Sequence, residues 1–498
     1  MTKFQKQMLT IAAAGALTAV TALPAMAFEN EFHGMYTFKT YFSNFDKGDG
    51  AAINPATVFS NDGPVSVISN FNKQRKVNNY MDQRARIQYI AKASDDLKMV
   101  TQFEMNTRFG GVTTNAYANK SDGGTLDTDG TNIWTKHLYL DFNVGKNFNT
   151  KVGLMPYKDT IKGLLIDADV PAIYTTTKLG AYSLGLGFSR FDENEQKATT
   201  TTRLGDQAAD LFIMDNTYAV NKDTKVALSY YLLANYKNVA AAAATATAAS
   251  VSARDRIIIH TLGLSGQTKM GGLNLSGFAA MQAGYSAAGT VASAGKKTNY
   301  HGYAANVAAD MKMGSSKLKT ALLYASGNNN TAPDAQNRGW VTSGVNSYNE
   351  SGMMIVARNT SMGGTGTDNA IRKPVSNIAL ATFGVDADIT EKFFTNANVG
   401  FAWAPASQAE QHIDLAQAIA GAGSRNNNSD FMGTEMNMEV GYKLYKNLTL
   451  KAQAAYMVLG GYYKNSACND AASTAATCVS ATTPQNPYTM RLQASYTF

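Results

Sequence analysis

The chain has 498 residues, of which 45% are hydrophobic and only 16% charged, with 42 Gly and 25 Tyr. No run of about 18 apolar residues follows the N-terminal segment, which excludes membrane-spanning helices. The formal net charge of +7 is small for this length and gives no reason to expect nucleic-acid binding. No linker-like change of composition occurs, which favours one large all-β domain over several soluble domains.

The N-terminal segment is predicted to be a signal peptide covering residues 1–27. Two lysines give it a positive start, an apolar run follows, and Ala25-Met26-Ala27 forms a small-x-small cleavage site. Residues 28–498 are then the mature chain, predicted to be one transmembrane β-barrel. Removing the two lysines leaves 42 basic residues (44 minus 2) against 37 acidic ones, so the net charge falls to +5.

The most informative early strands form a predicted hairpin around a turn at residues 94–96. Apolar and polar side chains alternate along both strands, as in a sheet with one oily and one wet face. If the strands pair next to the turn, Arg86 faces Glu104 and Asp82 faces Arg108 across the ladder. In a soluble sandwich these would be exposed surface pairs, whereas in a membrane barrel they would face a wet lumen.

Hairpins of this kind repeat along the chain, and tight turns alternate with long polar connections. Long connections at one end and tight turns at the other are typical of outer-membrane β-barrels, which have an even strand count. We count about eighteen strands; an error of one hairpin would give sixteen, the second choice, or twenty. The predicted fold class is therefore all-β, a transmembrane antiparallel up-and-down β-barrel.

Three connections carry features of their own. Residues 127–132 contain oxygen ligands of the kind that bind Ca²⁺, but the closing Glu of an EF-hand loop is missing, so we interpret them as a turn and predict no metal. Residues 407–420 begin with a capping box and predict a short helix. Cys468 and Cys478 lie in a polar segment of an exported chain, which favours a disulfide. No C-x-x-C-H motif occurs, and no cofactor is predicted.

The last strand, residues 488–498, alternates aromatic or apolar residues with polar ones and ends on a C-terminal Phe. This pattern, which includes Tyr496 and Phe498, resembles the assembly signal of Gram-negative outer-membrane β-barrels. Nearly the whole mature chain thereby resembles bacterial outer-membrane porins. The resemblance implies a cell outer-membrane channel for passive diffusion of small hydrophilic solutes and ions. It also implies a homotrimer, contact with lipid and lipopolysaccharide, and insertion by the barrel-assembly machinery.

Charged residues at predicted inward positions are candidates for lining the pore. Residues 158–170 resemble the constriction loop after the fifth strand of many porins and carry Asp159, Asp167 and Asp169; an ordinary outer loop is the alternative. Both charge signs occur, so weak ion selectivity is expected. The pore-lining candidates are Asp82, Arg84, Arg86, Glu104, Arg108, Asp167, Asp169, Glu435, Glu439, Lys451 and Arg491.

Other functions remain open on the sequence alone. An outer-membrane enzyme would need a nucleophile or an activated water beside His and acidic groups, and the five histidines are scattered without such a motif. We therefore expect no enzymatic activity. A structural barrel that supports outer-membrane electron-transfer cytochromes is a second alternative. An adhesin or phage receptor, acting through the long loops, is a third that would coexist with a pore.

Overall fold

The computed structural model of the chain describes residues 29–44, 77–110, 133–192, 208–236, 254–288, 298–328, 336–343, 348–350, 352–357, 375–406, 429–464, 467–468, 481–483 and 485–498. The predicted signal peptide, the turn at residues 127–132 and the helix at residues 407–420 lie outside these ranges. Cys478 and the side chain of Cys468 also lie outside them. The signal peptide, the turn, the helix and the disulfide between Cys468 and Cys478 therefore remain predictions.

Strands form where residues of opposite polarity alternate, and they make up nearly all the regular structure of the described ranges. They are β1 (Glu29–Ser43), β2 (Asn78–Ser94), β3 (Leu97–Arg108), β4 (Ile133–Val144), β5 (Phe148–Lys158), β6 (Asp167–Leu179), β7 (Tyr182–Asp192), β8 (Ala209–Ala219), β9 (Thr224–Asn235), β10 (Arg254–Met270), β11 (Leu273–Ala288), β12 (Thr298–Tyr300), β13 (Tyr303–Met313), β14 (Ser316–Ala325), β15 (Ile378–Asp388), β16 (Phe393–Trp403), β17 (Phe431–Tyr445), β18 (Leu448–Leu459), β19 (Ala467–Cys468), β20 (Ala481–Thr482) and β21 (Tyr488–Thr497). A 3-10 turn at Gly461–Tyr463 follows β18.

The strands form one closed antiparallel sheet in chain order. Each barrel strand pairs with the next, and β21 pairs with both β18 and β1, which removes the open edges. The short β12 and the longer β13 pair in turn with β11 and count as one interrupted strand. The 19 strands of the sheet therefore make eighteen barrel positions, while β19 and β20 form a separate small ladder. The predicted fold class and strand count are confirmed.

Alternation along each strand separates the outer surface from the interior. On β8, Phe212 and Met214 are 46% and 38% exposed, whereas Leu211 and Ile213 are 0% and 3% exposed. The outward faces of the other strands carry a similar belt of exposed Leu, Met, Val and Phe side chains. A continuous apolar belt around a closed barrel matches the hydrocarbon layer of a membrane.

The tight turns lie at one end of the barrel and the long connections at the other, as the sequence predicts. Both chain ends of the barrel lie at the tight-turn end. There the backbones of Gly34 and Phe498 exchange two hydrogen bonds of 2.9 and 3.1 Å. A Cβ added to Gly34 would lie 2.2 Å from the Phe498 ring, so only glycine leaves room for the C-terminal aromatic to lie across β1.

Within the described ranges, no helix has both the length and the apolar character needed to cross a membrane. That finding concerns helices alone.

Candidate functional site

The hairpin of β2 and β3 has the register that the sequence predicts. Arg86 lies opposite Glu104 and Asp82 lies opposite Arg108. The Arg86 guanidinium donates to the Glu104 carboxylate at 2.6 Å, and Arg84 contacts the same carboxylate at 3.0 Å. Two guanidinium groups thus share one carboxylate on the inner face, so this hairpin carries a surplus of positive charge.

The charged surface continues across the seam where the barrel closes. We call it the charged wall, and it spans the inward face of β17, β18, β21, β1, β2 and β3. Lys39 lies opposite Asp82 on one side and Gln493 on the other, and Lys451 contacts Glu439 at 3.2 Å. Six basic and three acidic side chains of this face define the charged wall, namely Lys39, Arg84, Arg86, Arg108, Lys451, Arg491, Asp82, Glu104 and Glu439.

Exposure differs along the charged wall. The side chains of Arg86, Lys451 and Glu104 are 25%, 19% and 13% exposed. Lys39, Arg84, Arg491, Asp82 and Glu439 are buried. Arg86, Lys451 and Glu104 are therefore predicted pore-lining residues that have access to water from the inside of the barrel.

Two stacked tyrosines stiffen the centre of the charged wall. The Tyr41 and Tyr80 rings stack with centroids 4.4 Å apart, and guanidinium groups cover both. Arg491 lies 5.2 Å from the Tyr41 centroid and Arg108 lies 4.8 Å from that of Tyr80. Stacking of a cation on an aromatic face holds these long side chains against the wall and limits their motion.

The connection between β5 and β6, residues 159–166, folds into the barrel; we call it inner loop 1. Its apolar residues Ile161 and Leu164 are fully buried. Thr160 reaches β9, where its N–H donates to the Tyr231 hydroxyl at 3.0 Å and its hydroxyl donates to Ser229 at 2.8 Å. The loop therefore folds inward and rests on inward side chains of β9.

Asp159 holds inner loop 1 in its turn. Its carboxylate accepts backbone N–H bonds from Gly163, Leu165 and Ile166 at 2.8, 2.8 and 2.7 Å. Lys162 and Gly163 both have positive φ, of 65° and 77°, which wraps these amides around the acceptor. Burial raises the pKa of Asp159 from 3.8 to about 7, while the backbone N–H groups oppose that rise.

The other two acids of this segment lie at the start of β6 and pair with cations. Asp167 and Asp169 alternate with Val170 and Ala172, which face the interior, and so share the face of β6 with the exposed Ile173. Their partners are cations at the long-loop end, namely Lys158 for Asp167 and both Lys136 and His137 for Asp169. Asp167 also lies against Gly163 of inner loop 1, and Asp169 contacts the buried His137, so the role of these two carboxylates in lining the pore stays a prediction.

A second connection folds inward between β14 and β15. Its described parts, residues 336–343, 348–350 and 352–357, are called inner loop 2. Gln282 of β11 exchanges two hydrogen bonds of 2.8 Å with the backbone of Val341. Asn306 of β13 donates to the Tyr348 hydroxyl at 2.7 Å. Loop 2 therefore crosses the interior along β11 and β13.

Glu435 of β17 anchors the far end of inner loop 2. Its carboxylate accepts backbone N–H bonds from Met354, Ile355 and Val356 at 2.6, 3.0 and 2.8 Å. The residue is 0% exposed. The prediction that Glu435 lines the pore is therefore wrong, because the loop covers this carboxylate completely.

The two inner loops contact each other. The Ser343 N–H donates to the Leu165 carbonyl at 3.0 Å, and Lys162 forms an ion pair with Glu350. Lys162 also donates to Ser276 of β11 at 2.9 Å. Burial lowers the pKa of Lys162, and the Glu350 carboxylate opposes this effect. The loops thus form one layer that covers part of the interior and leaves the charged wall on the other side.

The wall beneath this layer is apolar, which sequence reasoning missed. Leu211, Ile213, Leu233, Ile259 and Phe278 face inward and are buried under the loops. The sequence signal for this apolar wall is the loss of alternation between apolar and polar residues, since β8 to β10 carry apolar residues on both faces. Matching apolar runs occur at residues 164–166 and 353–356 of the loops. Such paired runs indicate a loop packed inside the barrel.

No group of three or more His, Cys, Asp or Glu side chains within the described ranges is close enough to hold a metal ion. His260 lies on the outer face, in hydrogen-bond contact with Tyr230 at 2.6 Å, far from His137 on β4.

No protein-family model matches the chain, and no curated protein matches it. Solved structures do match. OpdK of Pseudomonas aeruginosa, determined with vanillate, is 11% identical and aligns over 94% of this chain and 98% of its own, with a TM-score of 0.50. A BenF-like porin from Pseudomonas fluorescens Pf-5 is 13% identical and aligns over 94% of this chain and 98% of its own, with a TM-score of 0.49.

The outer-membrane channel DcaP of Acinetobacter baumannii is 12% identical over 95% of this chain and 99% of its own, with a TM-score of 0.42. At these identities the comparison with OpdK shows the fold alone. The chain therefore shares the fold of OpdK.

Proposed function

We propose that this protein is an outer-membrane porin that lets small hydrophilic solutes and ions diffuse passively through a water-filled pore. The observation that carries the proposal is the eighteen-strand closed barrel whose inner loops cover one side of the interior and leave a charged wall on the other. A barrel of sixteen to eighteen strands is too wide for wall side chains alone to fill.

The pore runs along the charged wall, where Arg86, Glu104 and Lys451 are charged residues that stay partly exposed. Six basic against three acidic side chains on that wall favour anions over cations. Pairing within the wall, as between Arg86 and Glu104 at 2.6 Å, keeps the preference weak. Among the remaining wall candidates, Arg84 pairs with Glu104 and Glu439 pairs with Lys451, while Asp82, Arg108 and Arg491 lie farther along the same wall.

The apolar belt and the sealed seam favour the outer membrane as the location, with insertion directed by Tyr496 and Phe498. Lipid and lipopolysaccharide contacts and a homotrimer belong to the same proposal. No feature of the described residues favours an enzymatic role or a cytochrome-supporting role over a channel.

Liposome swelling tests the proposal. Purified protein is reconstituted into vesicles, which are diluted into isotonic neutral solutes of increasing size, from a pentose to a trisaccharide. A porin gives fast swelling with the smallest solute and progressively slower swelling with larger ones. A folded, heat-modifiable barrel that gives no swelling with any solute would refute diffusion through the lumen.

A further inference from the structure

A small polar cavity lies between inner loop 2 and the barrel wall, toward the tight-turn end. Its volume is about 110 Å³. The cavity is separate from the charged wall, because β11 and β13 to β16 supply its sides. The lining side chains that matter here are Ser276, Asp310, Lys317, Lys319, Glu350 and Asn398. We call this cavity the loop 2 niche.

One side of the niche carries a surplus of positive charge. Lys317 and Lys319 alternate along β14, so both point inward, and they share the single carboxylate of Asp386 at 3.2 and 2.6 Å. Asp386 also accepts a hydrogen bond from the amide of Asn396. Two ammonium groups on one carboxylate leave capacity to bind a further anionic oxygen.

Another side carries a surplus of negative charge. Asp310 of β13 accepts a hydrogen bond of 2.7 Å from the neutral amide of Asn274. Glu350 lies across the niche and is paired with Lys162. Asp310 is the cross-strand partner of Lys319, so positive and negative groups stand on neighbouring strands about 5 Å apart at their Cβ atoms.

The rest of the niche keeps it narrow. Ala308, Ala321 and Gly384 contribute little or no side chain. A Cβ added at Gly384 would lie 2.1 Å from the Asn398 side-chain oxygen, so glycine is what lets this amide turn toward the niche. A ligand must therefore be small, and Ser276 and Asn398 offer it neutral hydrogen-bond partners.

We propose that the loop 2 niche binds small zwitterions that carry an ammonium and a carboxylate on the same carbon atom, as α-amino acids do. The carboxylate contacts Lys317 and Lys319, and the ammonium contacts Asp310. An ion of one sign meets a repelling group of the same sign on the adjacent strand, whereas a zwitterion satisfies both. The inference rests on the proposed pore, through which such a solute reaches the niche.

Saturation-transfer NMR on the purified, detergent-solubilised full-length protein tests the niche without requiring conduction. The probes are glycine and L-alanine at pH 7, with acetate and methylammonium as analogues of single charge. Transfer to the two amino acids is expected, and binding of each analogue is expected to be about tenfold or more weaker because one charged contact is missing. Equal transfer to acetate would overturn the proposal in favour of an anion site.

Variants decide whether the signal comes from the niche. Lys319→Met and Asp310→Asn should each reduce glycine binding about tenfold or more, and Lys151→Met on the distant β5 should not. Heat-modifiable migration on gels verifies that each barrel is folded. Unchanged binding in folded Lys319→Met and Asp310→Asn would overturn the assignment.

Addition of glycine to single channels in KCl distinguishes this inference from the proposed pore. Steady KCl current with a glycine-dependent reduction supports both proposals. Current without any glycine effect, together with no transfer in the NMR experiment, rejects the niche and retains the pore. Absence of KCl current rejects the pore.

Discussion

Inner loops 1 and 2 use the same chemistry at their centres but are attached differently. In each, one buried carboxylate accepts hydrogen bonds from three backbone N–H groups of the loop; the carboxylate is that of Asp159 for loop 1 and that of Glu435 for loop 2. Asp159 belongs to the loop that it shapes, whereas Glu435 belongs to the barrel wall. A local carboxylate sets the conformation of a loop, while a carboxylate on the wall fixes its position.

The largest effect is expected from Glu435→Gln. The amide retains one acceptor oxygen and directs an N–H₂ group at backbone donors, which costs about 2–3 kcal/mol at a fully buried site. Inner loop 2 should leave the wall, raising single-channel conductance and exposing residues 352–357 to protease. Glu391→Gln removes a charge from the exposed turn between β15 and β16, away from the loop, so it should change neither the conductance nor the cleavage.

A smaller effect is expected from Asp159→Asn. The same mismatch with three N–H donors costs about 1–2 kcal/mol here, because Thr160 and the buried Ile161 still hold loop 1 against β9 and β10. The current should become noisier as the loop fluctuates, with little gain in mean conductance. Asp223→Asn, in the exposed turn between β8 and β9, serves as the matched control. Equal noise in both variants would contradict the role given to Asp159.

The pH dependence of inner loop 1 follows from the raised pKa of Asp159. Between its ordinary value of 3.8 and about 7, the docked loop binds more protons than a released one. Docking is therefore strongest at low pH and weakens as pH rises through about 7, by up to about 1.4 kcal/mol per pH unit. Current noise should increase between pH 5 and pH 8 in the wild type. Asp159→Asn should lose this dependence, and retention of it would assign the effect to another group.

The smallest effect is expected on the charged wall. Arg86→Gln removes one of two guanidinium groups that share Glu104, which should shift the reversal potential under a salt gradient toward weaker anion preference. Lys222→Gln removes an equal charge from the exposed turn between β8 and β9 and should leave the potential unchanged. A shift of the same size in both variants would assign selectivity to overall charge and not to the wall.

The sequence allowed the barrel itself to be predicted well. Strand alternation and turn chemistry are local, so they specify β2 and β3, their turn at residues 94–96, and the pairing of Arg86 with Glu104. The even strand count follows from the alternation of long and short connections. These features require no knowledge of what lies across the barrel.

The interior was only partly predictable. That Asp159 faces its own loop amides depends on positive φ at Lys162 and Gly163, and glycine alone gives a hint of that. Glu435 binds amides about 80 residues earlier in the chain, a contact that period-two alternation cannot reveal. The face of β6 on which Asp169 lies depends on where the strand begins, and a shift of one residue reverses the face.

Single-channel conductance of the purified wild-type protein and Glu435→Gln in planar bilayers tests the central claim, that two inner loops narrow an open barrel. Large, steady current steps in the wild type, with larger steps in the variant, are the predicted result. A folded wild-type barrel that passes no current, or a variant with steps identical to the wild type, would contradict the account.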